Sequence, residues 1–176
     1  MEQLKTRTLF FTIFSLFFAL FSFVFSATTE DPSAKIANYT KWRKLTPNAV
    51  LMPSNVAALC AAPNPNQPED PHKDKFFNVY INSIGEKTML GHNPAKFPVG
   101  TVIVKEKLPS KNSSTPELLT VMIKRETGYN SEHGDWQYLV FDSTGTNTAS
   151  GKLDNCIKCH DSQKNQDFVY KNYFQK

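Results

Sequence analysis

Thiol and imidazole groups are scarce in this chain: 176 residues carry three cysteines and four histidines. Cys60, His72, His92 and His133 lack the paired spacing of zinc ligands, which excludes a zinc module built on them. Charge of one sign is also in short supply. The formal net charge is +4, of which Glu2, Lys5 and Arg7 contribute +1, leaving +3 for the remainder. That excess is too small and too dispersed for a nucleic-acid-binding surface. Internal repeats are absent, so a solenoid or propeller is excluded. A long apolar run occurs once, and no cysteine sits at its end, which argues against a lipoprotein anchor.

That run covers 9–25, broken only by Thr12, Ser15 and Ser22, with Lys5 and Arg7 before it. Val24-Phe25-Ser26 closes it with a peptidase-compatible end. The pattern is that of an export signal over 1–26, with a mature chain starting at Ala27. The run is long for a signal and slightly short for a membrane span. Cleavage is favoured, leaving no membrane span and a periplasmic protein of about 150 residues, enough for one domain with a real core.

Against this scarcity, two of the three cysteines and one histidine fall together in Cys156-Ile157-Lys158-Cys159-His160. This C-x-x-C-H spacing suits covalent attachment of one haem c. Each thiol adds to one vinyl group, and His160 reaches the iron as its axial ligand. The alternatives are a zinc half-site, which needs further Cys/His pairs, and a redox dithiol, which belongs early in a thioredoxin-like unit. Export agrees with haem attachment, which takes place outside the bacterial cytoplasm. Cys60 is left over and reads as buried filler.

The segment 27–37 reads as a linker, and 38–176 as the folded domain. Ile36, Tyr39 and Trp42 have near-helical spacing within 33–44, and 54–61 resembles a short helix capped by Ser54. Four prolines make 62–74 a loop. Strands are expected over 76–84, 100–108, 117–125 and 135–142, with turns at 112–116, 128–134 and 143–151. No helix is evident between the strands. The order is α+β: N-terminal helices, a mainly antiparallel sheet, then the C-terminal haem-binding segment.

Met52, Met89, Met122, His72, His92 and His133 are conceivable second iron ligands, and no context singles one out. On a strand, Thr101, Ile103, Lys105 and Lys107 share one face, while Val102, Val104 and Glu106 share the other. Composition sends Lys105 to solvent. The functional alternative is an inward lysine beside the porphyrin, with a neutral amine as nucleophile.

Several segments carry a resemblance. They are Tyr39-Thr40-Lys41-Trp42, Phe77-Asn78-Val79-Tyr80-Ile81-Asn82, Phe97-Pro98-Val99-Gly100-Thr101-Val102-Ile103-Val104-Lys105-Glu106 and Gly134-Asp135-Trp136-Gln137-Tyr138. After these come the haem run, Asp167-Phe168-Val169-Tyr170 and Tyr173-Phe174. Together they resemble the cytochrome P460 family, which includes the beta-type cytochromes c-prime. The resemblance implies a sheet-rich haem protein with His160 proximal and no strong distal ligand. In hydroxylamine-oxidising members, the lysine matching Lys105 is cross-linked to a porphyrin meso carbon. Those members also hold a distal carboxylate that accepts a proton. Counting back without gaps from Gly134, that position falls on Thr120, which cannot act as a carboxylate base. Glu117 and Glu126 are the nearby carboxylates.

Three functions remain open: oxidation or reduction of hydroxylamine or nitric oxide at a five-coordinate haem, nitric oxide binding without turnover, and simple electron transfer with two strong axial ligands. A redox partner cytochrome is expected, and the resemblance implies a homodimer.

Overall fold

The computed structural model describes residues 31–52, 75–91 and 95–171. The leader over 1–26, the helix expected over 54–61, Cys60, His72, His92 and the Tyr173-Phe174 pair lie outside them.

Among the described residues, seven strands form one sheet: β1 (Arg43–Lys44), β2 (Val50–Leu51), β3 (Phe76–Ile81), β4 (Val102–Leu108), β5 (Leu118–Lys124), β6 (Trp136–Asp142) and β7 (Asn147–Gly151). All pairings are antiparallel. The spatial order is β1, β3, β4, β5, β6, β7, with β2 pairing the other end of β3. The β-branched and aromatic runs of β3 to β6 form these strands because such side chains pack well on a pleated surface. With two short helices added, the fold is α+β, as the sequence implies.

Three local expectations change. The helical spacing over 33–44 yields only two 3₁₀ turns, Pro32–Ile36 and Tyr39–Lys41, before the chain extends into β1. The strand expected over 76–84 stops at Ile81, and a helix, α1 (Ser83–Leu90), follows. Asn82 ends one and starts the other. Its Oδ1 accepts the N–H of Gly85 at 3.3 Å and of Val102 at 3.1 Å, and its Nδ2 donates to the Gly100 carbonyl at 2.9 Å. Asn82 hides in the strand's alternation, and Gly85 weakens the helical signal. Glycine is needed there because a Cβ would run into Thr101 and Ile81. The third change is β7, which lies within the turn expected over 143–151. Its Asn-Thr-Ala-Ser-Gly sequence is a poor strand former, tolerated at a sheet edge.

The two faces of the sheet carry separate cores. One holds Phe77, Val79, Ile81, Ile103, Met122, Trp136 and Tyr138, with Met52, Met89, Phe97, Phe168 and Val169 packed on it. The other holds Val102, Val104, Leu119, Val121, Ile123, Leu139 and Phe141, covered by Ile36, Tyr39 and Trp42. Each fully buried Val, Leu, Ile or Phe adds roughly 1.5–3 kcal/mol. Lys105 and Glu106 therefore part company. Glu106 is buried on the second face, where Tyr39 Oη donates to one carboxylate oxygen and Asn78 Nδ2 to the other, both at 2.9 Å. Among the described residues, no helix is long and apolar enough to cross a membrane.

Candidate functional site

Gly151 ends β7 with φ +131°, and α2 (Asp154–His160) follows. Its single turn of spacing sets Cys156, Cys159 and His160 on one side. Cys156 and Ile157 pack against the first core, and Cys159 is buried.

His160 Nδ1 lies 2.7 Å from the Phe168 carbonyl oxygen. A carbonyl only accepts, so Nδ1 carries the hydrogen and Nε2 keeps its lone pair. Burial, chiefly, pushes the His160 pKa down to about 4. The Phe168 hydrogen bond works the other way, nearby Lys105 adds to the lowering, and Asp161 opposes it. The imidazole is therefore neutral near pH 7, as an iron ligand requires.

The Phe168 carbonyl is itself held in place. Asp167 and Phe168 both adopt left-handed backbone, φ +53° and +64°, at a cost of about 1–2 kcal/mol each. Contacts from the sheet offset that strain. Lys124 Nζ donates to Asp167 Oδ2 at 2.7 Å, to Asp167 Oδ1 at 2.8 Å and to the Gly134 carbonyl at 2.6 Å. Phe97 N–H donates to Asp167 Oδ2 at 2.8 Å, and Trp136 Nε1 donates to the Asp167 carbonyl at 2.7 Å. Tyr170 Oη donates to the Cys159 carbonyl at 3.0 Å.

A dithiol oxidoreductase holds its attacking cysteine below the ordinary value. Burial, with Cys159 adding to it, pushes the Cys156 thiol up to about 11.

Cross-strand register sets Val79, Lys105, Thr120 and Val140 in one row on the face that α2 overlies. Lys105 does not run out to solvent as composition expects. It is half-buried, with Nζ 4.7 Å from the centre of the Phe77 ring. Thr120 is its direct neighbour and is also half-buried, as is Val140. The adjoining row, Ile81, Ile103, Met122 and Tyr138, is buried. The chain's own side chains thus leave a partly open strip of sheet beside α2.

The other candidates lie elsewhere. Glu117 is paired with Lys75 at 2.9 Å and Lys107 at 3.1 Å, and Glu126 is exposed beyond the far end of β5. Met52, Met89 and Met122 are buried in the first core. His133 Nδ1 pairs with Asp161 at 2.7 Å, and its ring packs on Phe168. Residues with no role in the sequence reading enter here: Lys124, Asp167, Phe168 and Tyr138. Asp167-Phe168-Val169-Tyr170 and Gly134-Asp135-Trp136-Gln137-Tyr138 were visible as motifs, but a backbone carbonyl's partner leaves no mark in a sequence.

Two thiols, an imidazole presenting Nε2 and an inward amine beside a partly open strip of sheet form a donor set suited to haem. The family described as Cytochrome P460 matches residues 36–171. The chain belongs to the cytochrome P460 family. It is accordingly a haem-binding cytochrome. No curated protein matches it. The family match starts at Ile36, buried on the second face, and ends at Lys171. Lys171 Nζ donates to the carbonyls of Thr88 at 2.9 Å and Gly91 at 2.8 Å, closing the C-terminal segment onto the end of α1.

Proposed function

We propose that Cys156 and Cys159 hold one haem through two thioether bonds, with His160 Nε2 as its axial ligand. The protein is exported to the periplasm, binds hydroxylamine or nitric oxide, and turns such ligands over slowly. Bound haem supplies an iron that takes small nitrogen ligands and exchanges electrons with a partner cytochrome. The carrying observation is the 2.7 Å contact from His160 Nδ1 to the Phe168 carbonyl, next to the two thiols. It fixes the tautomer and aims Nε2 away from the segment that anchors the ring.

Lys105 is the amine that the family resemblance aligns with a porphyrin cross-link, and it shares the α2-covered face of the sheet. The residue at its side that would accept a proton is Thr120, which is no base near neutral pH. A positioned general base is worth ~10²–10⁴-fold, so its lack supports ligand binding with slow oxidation. This same lack favours a second reading, a nitric oxide-binding protein without turnover. Simple electron transfer is less well supported among the described residues, where Met52, Met89 and Met122 are engaged in core packing and His133 is paired with Asp161.

Haem staining after denaturing electrophoresis tests attachment. The full chain keeps its stain, and Cys156→Ser with Cys159→Ser loses it; stain retained by that double variant overturns the reading. Peptide mapping tests Lys105, since a cross-linked lysine travels with the haem peptide. Sequencing of the exported protein from Ala27 tests the leader.

A further inference from the structure

Buried polar side chains around the site are almost all satisfied. Tyr170 Oη has the Cys159 carbonyl, Trp136 Nε1 has the Asp167 carbonyl, and His160 Nδ1 has the Phe168 carbonyl. Tyr138 breaks the pattern. The residue is 2 % exposed, and its hydroxyl is buried with no hydrogen-bond partner among the described residues. A buried hydroxyl left unmade is costly, and phenylalanine would fill the same space without that cost.

The place of this hydroxyl is specific. Tyr138 stands in the buried row beside Lys105 and Thr120, on the face where Cys156 and Ile157 pack. Its ring centre is 5.6 Å from that of His160. Across the sheet its register partner is Gly151, which adds no side chain beside it. A tyrosine phenol is protonated near neutrality and is a donor. Asp161 is already taken by His133 at 2.7 Å.

We propose that Tyr138 is a cofactor-facing hydrogen-bond donor, its O–H left for an acceptor that comes with the haem held at Cys156 and Cys159. A dry site strengthens a bond made there. A donor there withdraws electron density from the haem. It stabilises the electron-rich reduced state and raises the reduction potential. Tyr138 is a positioning and tuning residue in this scheme. The inference rests on haem attachment at Cys156 and Cys159.

Potentiometric titration of the full-length, haem-loaded protein tests it, with haem staining run on every sample. Tyr138→Phe keeps the ring and removes the donor, and is expected to lower the midpoint potential. A fluorinated tyrosine incorporated at position 138, a stronger donor of nearly the same shape, is expected to raise it. A packing effect would not produce opposite shifts from the two replacements. Tyr129→Phe, outside the site, is expected to match the wild type. Unchanged potentials in both position-138 variants, or shifts of the same sign, overturn the proposal while the stain persists. Loss of stain from the wild type would instead overturn the attachment reading. If Tyr138→Phe does not load haem, the fluorotyrosine protein decides alone: a raised potential supports the donor, and an unchanged or lowered one refutes it.

Discussion

Lys124→Met is the most informative single change outside the haem segment. Lys124 and Asp167 side chains are 8 % and 12 % exposed, so solvent screens their ion pair little. Three short hydrogen bonds leave the ammonium, two to Asp167 and one to the Gly134 carbonyl. Methionine fills the stem's volume but satisfies none of them. Among the described residues, Asp167 then keeps only the Phe97 N–H on its carboxylate, as a buried charge without a counter-ion. Breaking a buried pair from one side costs about 3–5 kcal/mol. For a domain of this size that is a fall of about 6–20 °C in Tm. Pairing Lys124→Met with Asp167→Asn removes the stranded charge while keeping a side chain that tolerates left-handed backbone, so part of the loss should return. Urea unfolding of the haem-loaded chain, followed by far-ultraviolet circular dichroism, measures both. A loss below about 1 kcal/mol for Lys124→Met would place the pair in the surface class and sink the argument. So would a double variant no more stable than the single one.

Three further outcomes follow from the same contacts. Gly134 has φ +70°, and a Cβ there would meet Phe168 Cδ2 at 2.6 Å; Gly134→Ala should cost about 2–4 kcal/mol in urea from backbone strain and overpacking together, and a neutral result would show that the Phe168 loop adapts. Burial alone would raise the Glu117 carboxyl, but its bonds to Lys75 and Lys107 outweigh this and hold it below the usual range. Its contribution is therefore present above the unfolded-state value and lost as pH falls through the lower folded one. Glu117→Gln should be less stable than wild type by about 0.2–1 kcal/mol near neutrality, with the gap closing in acid; a gap independent of pH refutes the pairing as its cause. Thr120→Glu should raise hydroxylamine turnover with an artificial oxidant, by up to ~10²–10⁴-fold if the new carboxylate is well placed; brisk turnover by the unaltered chain would show that another residue already moves the proton.

What the sequence makes legible follows the range of each signal. The strands of the sheet's centre are written in runs of Val, Ile, Leu and aromatic residues, and the C-x-x-C-H run needs only five neighbours to be read. Failures came where the deciding partner is distant. Alternation assigns Lys105 to a face but not to the face α2 overlies, because that depends on where residues 154–160 return to the sheet. Asn82 reads as the next strand residue until Gly100 and Val102 are seen to share it. Lys124 looks like an ordinary strand-end lysine, and nothing local announces a partner 43 residues away. β7 escapes because edge pairing with β6 forms it, not the propensity of its own residues.

Two neighbouring rows of one sheet face divide the work. The row of Ile81, Ile103, Met122 and Tyr138 is buried, and Lys124, one step further along β5, reaches through Asp167 and Phe168 to the His160 ring. Changes there act on stability and on the orientation of the His160 ring together, since the imidazole's hydrogen-bond acceptor is in place only while the left-handed pair is held. Lys105, Thr120 and Val140, in the next row, are half-buried and carry little of the core. A polar replacement at Thr120 removes no large apolar contact and breaks no side-chain hydrogen bond seen among the described residues. Its stability effect should therefore stay within the ±0.5 kcal/mol of ordinary surface changes. Under the proposed function, a fold built this way can alter proton transfer beside Lys105 without loosening the His160 ring.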